Sequence, residues 1–101
     1  MTTYMILMKM TPEGAKHLKT WPESIDGAIK TFEEMGGKTV GFYASSVLYD
    51  FIGIGEAPDD ETVEQFRRLV NSWGSVDAQI IRLYTKDEFD NLIDKIEVER
   101  I

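Results

Sequence analysis

The stretch VLYDFIGIGEAP, residues 47–58, decides the fold of this chain. Its apolar side chains fall on both alternating faces, so it predicts a central strand that is covered on both sides. One face is expected to pack Ile52 and Ile54 against a helical layer. The opposite, open face is then expected to carry Tyr49, Phe51, Gly53 and Gly55. A strand of this kind needs a second cover, which a short chain has to find in a partner.

Strand and helix patterns alternate around this stretch. In chain order, the sequence predicts a strand over 4–10, a helix that begins at Thr11-Pro12 and is interrupted at Trp21-Pro22, a strand over 38–45, the central strand over 47–58, a helix capped by Asp59, a strand over 76–84 and a last helix capped by Thr85. This is the α+β, ferredoxin-like order βαββαβ with an antiparallel sheet and an added C-terminal helix. Right-handed crossovers place both main helices on one sheet face. We expect residues 1–101 to form one domain.

Composition narrows the function classes. The chain has 101 residues, a formal charge of −7 and no cysteine. The absence of cysteine excludes disulfides and thiol chemistry, and the negative charge disfavours nucleic acid and anionic membrane surfaces as partners. No apolar run approaches the ~20 residues of a membrane span, and the first residues lack the pattern of a signal peptide. We therefore expect a cytoplasmic protein.

Candidate catalytic groups are sparse. His17 is the only histidine, and a single helical histidine is more typical of a surface position than of a metal ligand or a base. The acidic run 59–61 has the placement of helix-capping groups rather than of a metal site. The sequence therefore predicts no metal and no cofactor. Trp21 and Trp73 are expected to pack near helix ends.

The open face of the sheet is the candidate ligand site. Lys9, Tyr43 and Tyr49 are expected to place polar tips in an otherwise apolar space, which is typical of small-ligand sites. Asp50 needs a hydrogen-bond partner in its apolar strand. It either joins this ligand site or accepts hydrogen bonds that set the strand register. Lys9 has an alternative too, because at the end of its strand it can reach solvent past its neighbours.

The other strands complete the two predicted faces. On the helix side we expect Val40 and Phe42, and on the open side Gly41, Tyr43, Met5, Leu7 and Lys9. Leaving the open side bare would expose a larger apolar patch than monomers usually tolerate. The sequence therefore predicts a homodimer or larger oligomer in which two sheets meet face to face.

Three segments carry a likeness to a known family: KTVGFY at 38–43, LYDFIGIGEAPDDE at 48–61 and TPEG at 11–14. With them, the chain resembles the GYD domain family over nearly its whole length. The family is named for a Gly-Tyr-Asp sequence, and Leu48 stands here at the position of its glycine, while Tyr49 and Asp50 are kept. The resemblance implies a dimeric α/β-barrel and no settled activity.

A weaker likeness is to the effector-binding domain of the Lrp/AsnC regulators. It is carried by the Tyr-Asp strand, the acidic turn after it and WGSV at 73–76. Those domains bind amino acids at oligomer interfaces, so this resemblance implies a stand-alone effector module.

Three function hypotheses follow. The first is a homo-oligomeric module that binds a small molecule or another protein, which the missing catalytic constellation favours. The alternative is a cofactor-independent enzyme, similar to the monooxygenases and isomerases of the dimeric α/β-barrel fold, which need only one or two polar residues in an apolar cleft. A purely structural oligomer is also open, because the fold alone does not choose among them.

Overall fold

The structure, a computed structural model, describes residues 1–96. Its elements are β1 (Thr2–Met10), a 3-10 segment (Gly14–Thr20), α1 (Trp21–Glu34), β2 (Lys38–Ala44), β3 (Phe51–Ala57), α2 (Asp60–Ser72), β4 (Val76–Leu83) and α3 (Lys86–Asp94). The strands form one antiparallel sheet in the order β2-β3-β1-β4. The predicted ferredoxin-like α+β arrangement is thus confirmed, with α3 as the added C-terminal helix.

Local capping chemistry sets where two helices begin. The Asp59 carboxylate accepts a hydrogen bond from the Thr62 backbone N–H at 2.8 Å and caps α2. This bond holds the pKa of Asp59 below its usual range, because it stabilises the ionised carboxylate. At α3, Thr85 and Glu88 form a reciprocal capping box. Both caps were predicted from the sequence.

The core lies between the sheet and the two main helices. Its buried members are Tyr4, Ile6, Phe32, Ala57, Val63, Phe66, Val70, Val76 and Ala78. The rings of Phe32 and Phe66 meet with centroids 5.0 Å apart and so join α1 to α2. At the edge of this core the Tyr4 hydroxyl donates to Asp60. Burial, and then the neighbouring carboxylate, raise the pKa of Tyr4.

The predicted central strand is too long at its start. Residues 47–50 belong to the loop between β2 and β3, and the strand begins at Phe51. Val47 has a left-handed φ of 78°, which a strand does not accommodate. The Ser45 N–H donates to the Asp50 carbonyl at 2.8 Å and closes this loop. Tyr49 and Asp50 are therefore loop residues, not residues of the central strand.

The two faces of β3 are the reverse of those predicted. Gly53 lies opposite Ile6 and Gly55 opposite Tyr4, and both partners belong to the helix-side core. Phe51 shares this face, so Ile52 and Ile54 lie on the open face instead. Both sets were apolar, and a shift of one residue exchanges the faces, so periodicity could not choose between them. The choice comes from Phe32, whose ring occupies the room that Gly55 leaves: a Cβ there would lie 2.8 Å from Phe32 Cε2.

Strand β2 follows the prediction except at one position. Phe42 pairs with Gly53 on the helix side, and Tyr43 pairs with Ile52 on the open side. The register shifts between Thr39 and Gly41, which indicates a bulge at the residue between them. Val40 is that residue and is 56% exposed, so its predicted place in the helix-side core is wrong.

The last helix, α3, exposes its apolar side. None of its residues is buried, and Phe89, Leu92 and Ile93 are each about half exposed. Contacts within residues 1–96 therefore leave the apolar side of this helix largely uncovered. Within residues 1–96, no helix combines the length and the apolar character that crossing a bilayer requires.

Candidate functional site

The open face of the sheet is built from four cross-strand rows. From β2 to β4 they are Lys38–Glu56–Thr3–Leu83, then Gly41–Ile54–Met5–Ile81, then Tyr43–Ile52–Leu7–Gln79, and finally Lys9–Asp77 on β1 and β4 alone. The two middle rows are mostly apolar, and the two outer rows each hold a lysine directly opposite a carboxylate. An apolar centre with a charged rim is the anatomy of a protein interface.

Tyr49 extends from the loop across this face. Its hydroxyl donates to Gln79 Oε1 at 3.0 Å. Because β1 lies between β3 and β4 in the sheet, the Tyr49 side chain has to cross β1 to reach Gln79. Leu7 lies beside Gln79 in the same row and is only 8% exposed, although it is on the open face. Tyr49 thus covers one end of the open face.

Asp50 ties the loop to the end of β1. Its Oδ2 accepts a hydrogen bond from the Met10 backbone N–H at 2.7 Å. Its own backbone N–H donates to the Met8 carbonyl at 2.9 Å, which continues the pairing of β1 with β3 by one residue. This geometry matches the register-setting alternative for Asp50. It also fixes the start of β3, which lies directly after Tyr49 and Asp50.

The structure brings Lys9, Tyr43 and Tyr49 to the same face of the sheet. Tyr43 is 58% exposed on β2. It lies two strands away from Leu7 of β1 in the same cross-strand row, which corresponds to about 10 Å across the sheet. Lys9 is exposed and lies opposite Asp77 at the rim. Asp50 lies beside this group and has its carboxylate engaged with the backbone. Ligand binding by these four residues stays a prediction.

A second candidate site lies on the other side of the sheet, where the sequence predicted none. A cavity of about 290 Å³ opens between the 3-10 segment, the start of α1, the end of α2 and the sheet. We call it the helix-side cavity, and its walls include Met8, His17, Trp21, Ala28, Phe51 and Trp73. The sequence places both tryptophans and the only histidine at helix ends or in the interrupted first helix, which is a weak indication of a shared site. This placement alone does not show that their side chains meet.

Metal binding has no candidate in the part of the chain that the structure describes. Among residues 1–96, no three histidine, cysteine, aspartate or glutamate side chains are placed to hold an ion. The predicted capping role of the acidic run 59–61 accounts for Asp59, while Asp60 accepts the Tyr4 hydroxyl. The described chain therefore has two candidate binding surfaces, one on each side of its sheet.

Comparison with known proteins shows similarity to one protein family and to a named bacterial protein. The sequence profile of the GYD domain family matches residues 4–93, which run from the first strand into the last helix. A protein of Thermus thermophilus, named glutamine synthetase and cystathionine beta-lyase binding protein, is 35% identical over 77 residues. This similarity covers 75% of the present chain and 81% of the relative.

Proposed function

This chain belongs to the GYD domain family, and on that premise we propose that it is a binding module that works as a homodimer or larger oligomer. Two copies meet through the open faces of their sheets, and the assembly binds another protein. Between the two sheets, Lys9, Tyr43 and Tyr49 supply polar groups for a small ligand, with Asp50 holding the loop of Tyr49 in place.

The observation that carries this proposal is the pattern of the open face. Its middle rows hold Ile54, Met5, Ile81 and Ile52, and the helices α1 and α2 pack on the opposite face of the sheet. Burying such apolar surface contributes about 25 cal/mol per Å². The rim supports a second copy as the occupant, because each charged row carries both a lysine and a carboxylate. A face of mixed rim charge can pair with itself without placing like charges together.

The test places a charge in the middle of this face. Ile81 is 46% exposed on β4, so Ile81→Glu leaves the helix-side core intact. Leu69→Glu is the matched control, because Leu69 is a similarly exposed aliphatic residue, at 38%, on the outer surface of α2. Circular dichroism verifies that both variants are folded, and sedimentation velocity at micromolar protein measures their mass.

We expect the wild type and Leu69→Glu to sediment as a dimer or larger, and Ile81→Glu as a monomer. An unpaired carboxylate buried between the two sheets costs several kcal/mol, because it loses its hydration without gaining a partner, and this cost disfavours assembly. A wild-type protein that is monomeric at micromolar concentration overturns the proposal. So does an Ile81→Glu variant that is folded and keeps the wild-type mass. Phe51, in contrast, lies in the helix-side layer, so a charge there tests folding rather than assembly.

Binding of another protein is supported by the name of the Thermus relative. We expect this chain to bind glutamine synthetase or cystathionine beta-lyase with a dissociation constant in the micromolar range or tighter. Biolayer interferometry on the two purified enzymes measures this, with serum albumin as the negative control and the Thermus relative as the reference. If the relative binds and this chain gives only the albumin signal on both enzymes, the proposed partner class is wrong.

A further inference from the structure

The helix-side cavity lies on the face of the sheet opposite the proposed interface. We propose that it is a binding site for a small, uncharged ring compound that carries one hydrogen-bonding group. Its volume of about 290 Å³ is close to the lower end of known ligand sites. At about 30 Å³ per water molecule, it holds roughly ten non-hydrogen atoms.

An aromatic wall explains why a ring is the expected ligand. The rings of Trp21 and Phe51 have centroids 5.0 Å apart, and those of Phe51 and Phe42 are 5.7 Å apart. These three side chains form a continuous wall, and Trp73 stands at another part of the lining with 49% of its surface exposed. Aromatic rings pack favourably on one another in tilted or offset geometry at these distances. A ring in the cavity gains the same contacts and covers Trp73.

The wall is held in place before any ligand enters. The Trp21 indole N–H donates to the Gly14 carbonyl at 2.9 Å, so the ring has one fixed orientation. Gly14 packs on the turn after α2, because a Cβ there would lie 2.1 Å from the Ser75 carbonyl oxygen. The Thr11 N–H donates to the same oxygen at 3.0 Å. The 3-10 segment is thus fastened across one end of the cavity, which lowers the entropy that binding has to offset.

The cavity adjoins a smaller apolar slot of about 50 Å³ between the two main helices and the sheet. Met8, Ala28, Phe42 and Val70 line both spaces. The hydroxyl groups in the cavity lining belong to Thr20, Ser24 and Ser75, and none of these residues lines the slot. A ligand therefore enters with its apolar part toward Ala28 and its polar group toward Ser24.

The charges around the cavity indicate that the ligand is neutral. His17 is the one titratable side chain among the lining residues of the described chain. Its Nε2 lies 3.5 Å from Glu13 Oε1, so its charge, when present, is already matched. An anion would find no unpaired cation in this lining and would be repelled by the net charge of −7. A cation would find no carboxylate in the lining, so it would lose its hydration without a partner.

The chain carries its own reporter for this site, because its only two tryptophans both line the cavity. Benzyl alcohol is the probe, and benzoate is its charged counterpart of similar shape. Ala28→Leu fills the junction of the cavity and the slot. Gly27→Leu is the matched control on the same helix, since a Cβ at Gly27 meets nothing within 4 Å. Trp73→Ala opens the rim, and Trp21 then remains as the reporter.

We expect benzyl alcohol to change the tryptophan emission of the wild type and Gly27→Leu with saturation. Ala28→Leu and Trp73→Ala are expected to bind it more weakly, and benzoate is expected to bind the wild type roughly fivefold more weakly or worse. Trp73→Ala supplies the answer if Ala28→Leu does not fold. A linear, non-saturating response of the wild type overturns the proposal. Unchanged binding by folded Ala28→Leu or by Trp73→Ala does so too, as does equal binding of benzoate. None of these results depends on the mass of the assembly.

Discussion

Two glycines on the same face of β3 provide a sharp test of the fold. Gly53 and Gly55 are two residues apart in one strand, yet their surroundings differ. A Cβ at Gly55 would lie 2.8 Å from Phe32 Cε2, 3.1 Å from Phe32 Cζ and 3.2 Å from the Lys38 carbonyl oxygen. A Cβ at Gly53 would meet Phe42 and Met8 at 3.7 and 3.8 Å, which is ordinary contact. Alanine therefore fits at Gly53 and overpacks at Gly55.

The magnitude follows from the difference between the two sites. Replacing glycine in a strand gains about 0.5–1 kcal/mol from the unfolded chain, and this gain is common to both variants. At Gly55 the Phe32 ring cannot move away freely. It is buried, it packs on Phe66 with centroids 5.0 Å apart, and its other contacts include Gly37, where a Cβ would lie 2.5 Å from the ring. Overpacking of this kind costs about 1–3 kcal/mol. Gly55→Ala is thus expected to be less stable than Gly53→Ala by about 1–3 kcal/mol.

Urea denaturation followed by circular dichroism measures both free energies of unfolding. The variants are compared at one protein concentration, because assembly contributes to the apparent stability. In thermal unfolding the same difference appears as roughly 4–8 °C for each kcal/mol. Equal stabilities of the two variants would refute the reasoning. That result is expected if both glycines face the open side of the sheet, as the sequence alone suggested.

Three further predictions concern the loop before β3 and the cap of α2. Val47→Gly should raise the free energy of unfolding by about 0.5–1 kcal/mol, because glycine relieves the left-handed φ of 78° at a residue that is 96% exposed. The control Leu48→Gly, at the neighbouring residue, should lower the free energy of unfolding. A loss of stability in Val47→Gly contradicts the assigned strain. Asp50→Ala should cost about 1–3 kcal/mol in urea denaturation, since it removes the acceptor 2.7 Å from the Met10 N–H, whereas Asp50→Asn keeps an acceptor and should lose less. The hydrogen bond from the Thr62 N–H lowers the pKa of Asp59 in the folded protein. The ionised carboxylate therefore stabilises the fold at pH values above the ordinary carboxyl pKa of about 3.9. This contribution is lost as the pH falls through the lower pKa of the folded state. Asp59→Asn, which can still cap α2, should therefore flatten the fall in melting temperature on acidification, and an unchanged acid limb would count against this role.

The features that the sequence predicted correctly depend on local patterns of residues. The element order followed from hydrophobic periodicity, and the caps at Asp59 and Thr85 followed from side chains that bond to backbone N–H groups three residues away. The placement of Lys9 and Tyr43 on one open face was also predicted, because each alternates with a neighbour on the helix side. Such features depend on residues that are close in the chain.

Only the tertiary structure decided which side of the central strand meets the helices. Ile52 and Ile54 are as apolar as a core requires, so their periodicity is equally consistent with either face. The distinction comes from Phe32, which is distant in sequence and needs the close approach that Gly55 permits. The helix-side cavity has the same origin, since Trp21 and Trp73 come together through the packing of the 3-10 segment on the turn after α2. Alternation along a strand is a local property, whereas the face that becomes the core is set by volumes that meet only after the chain has folded.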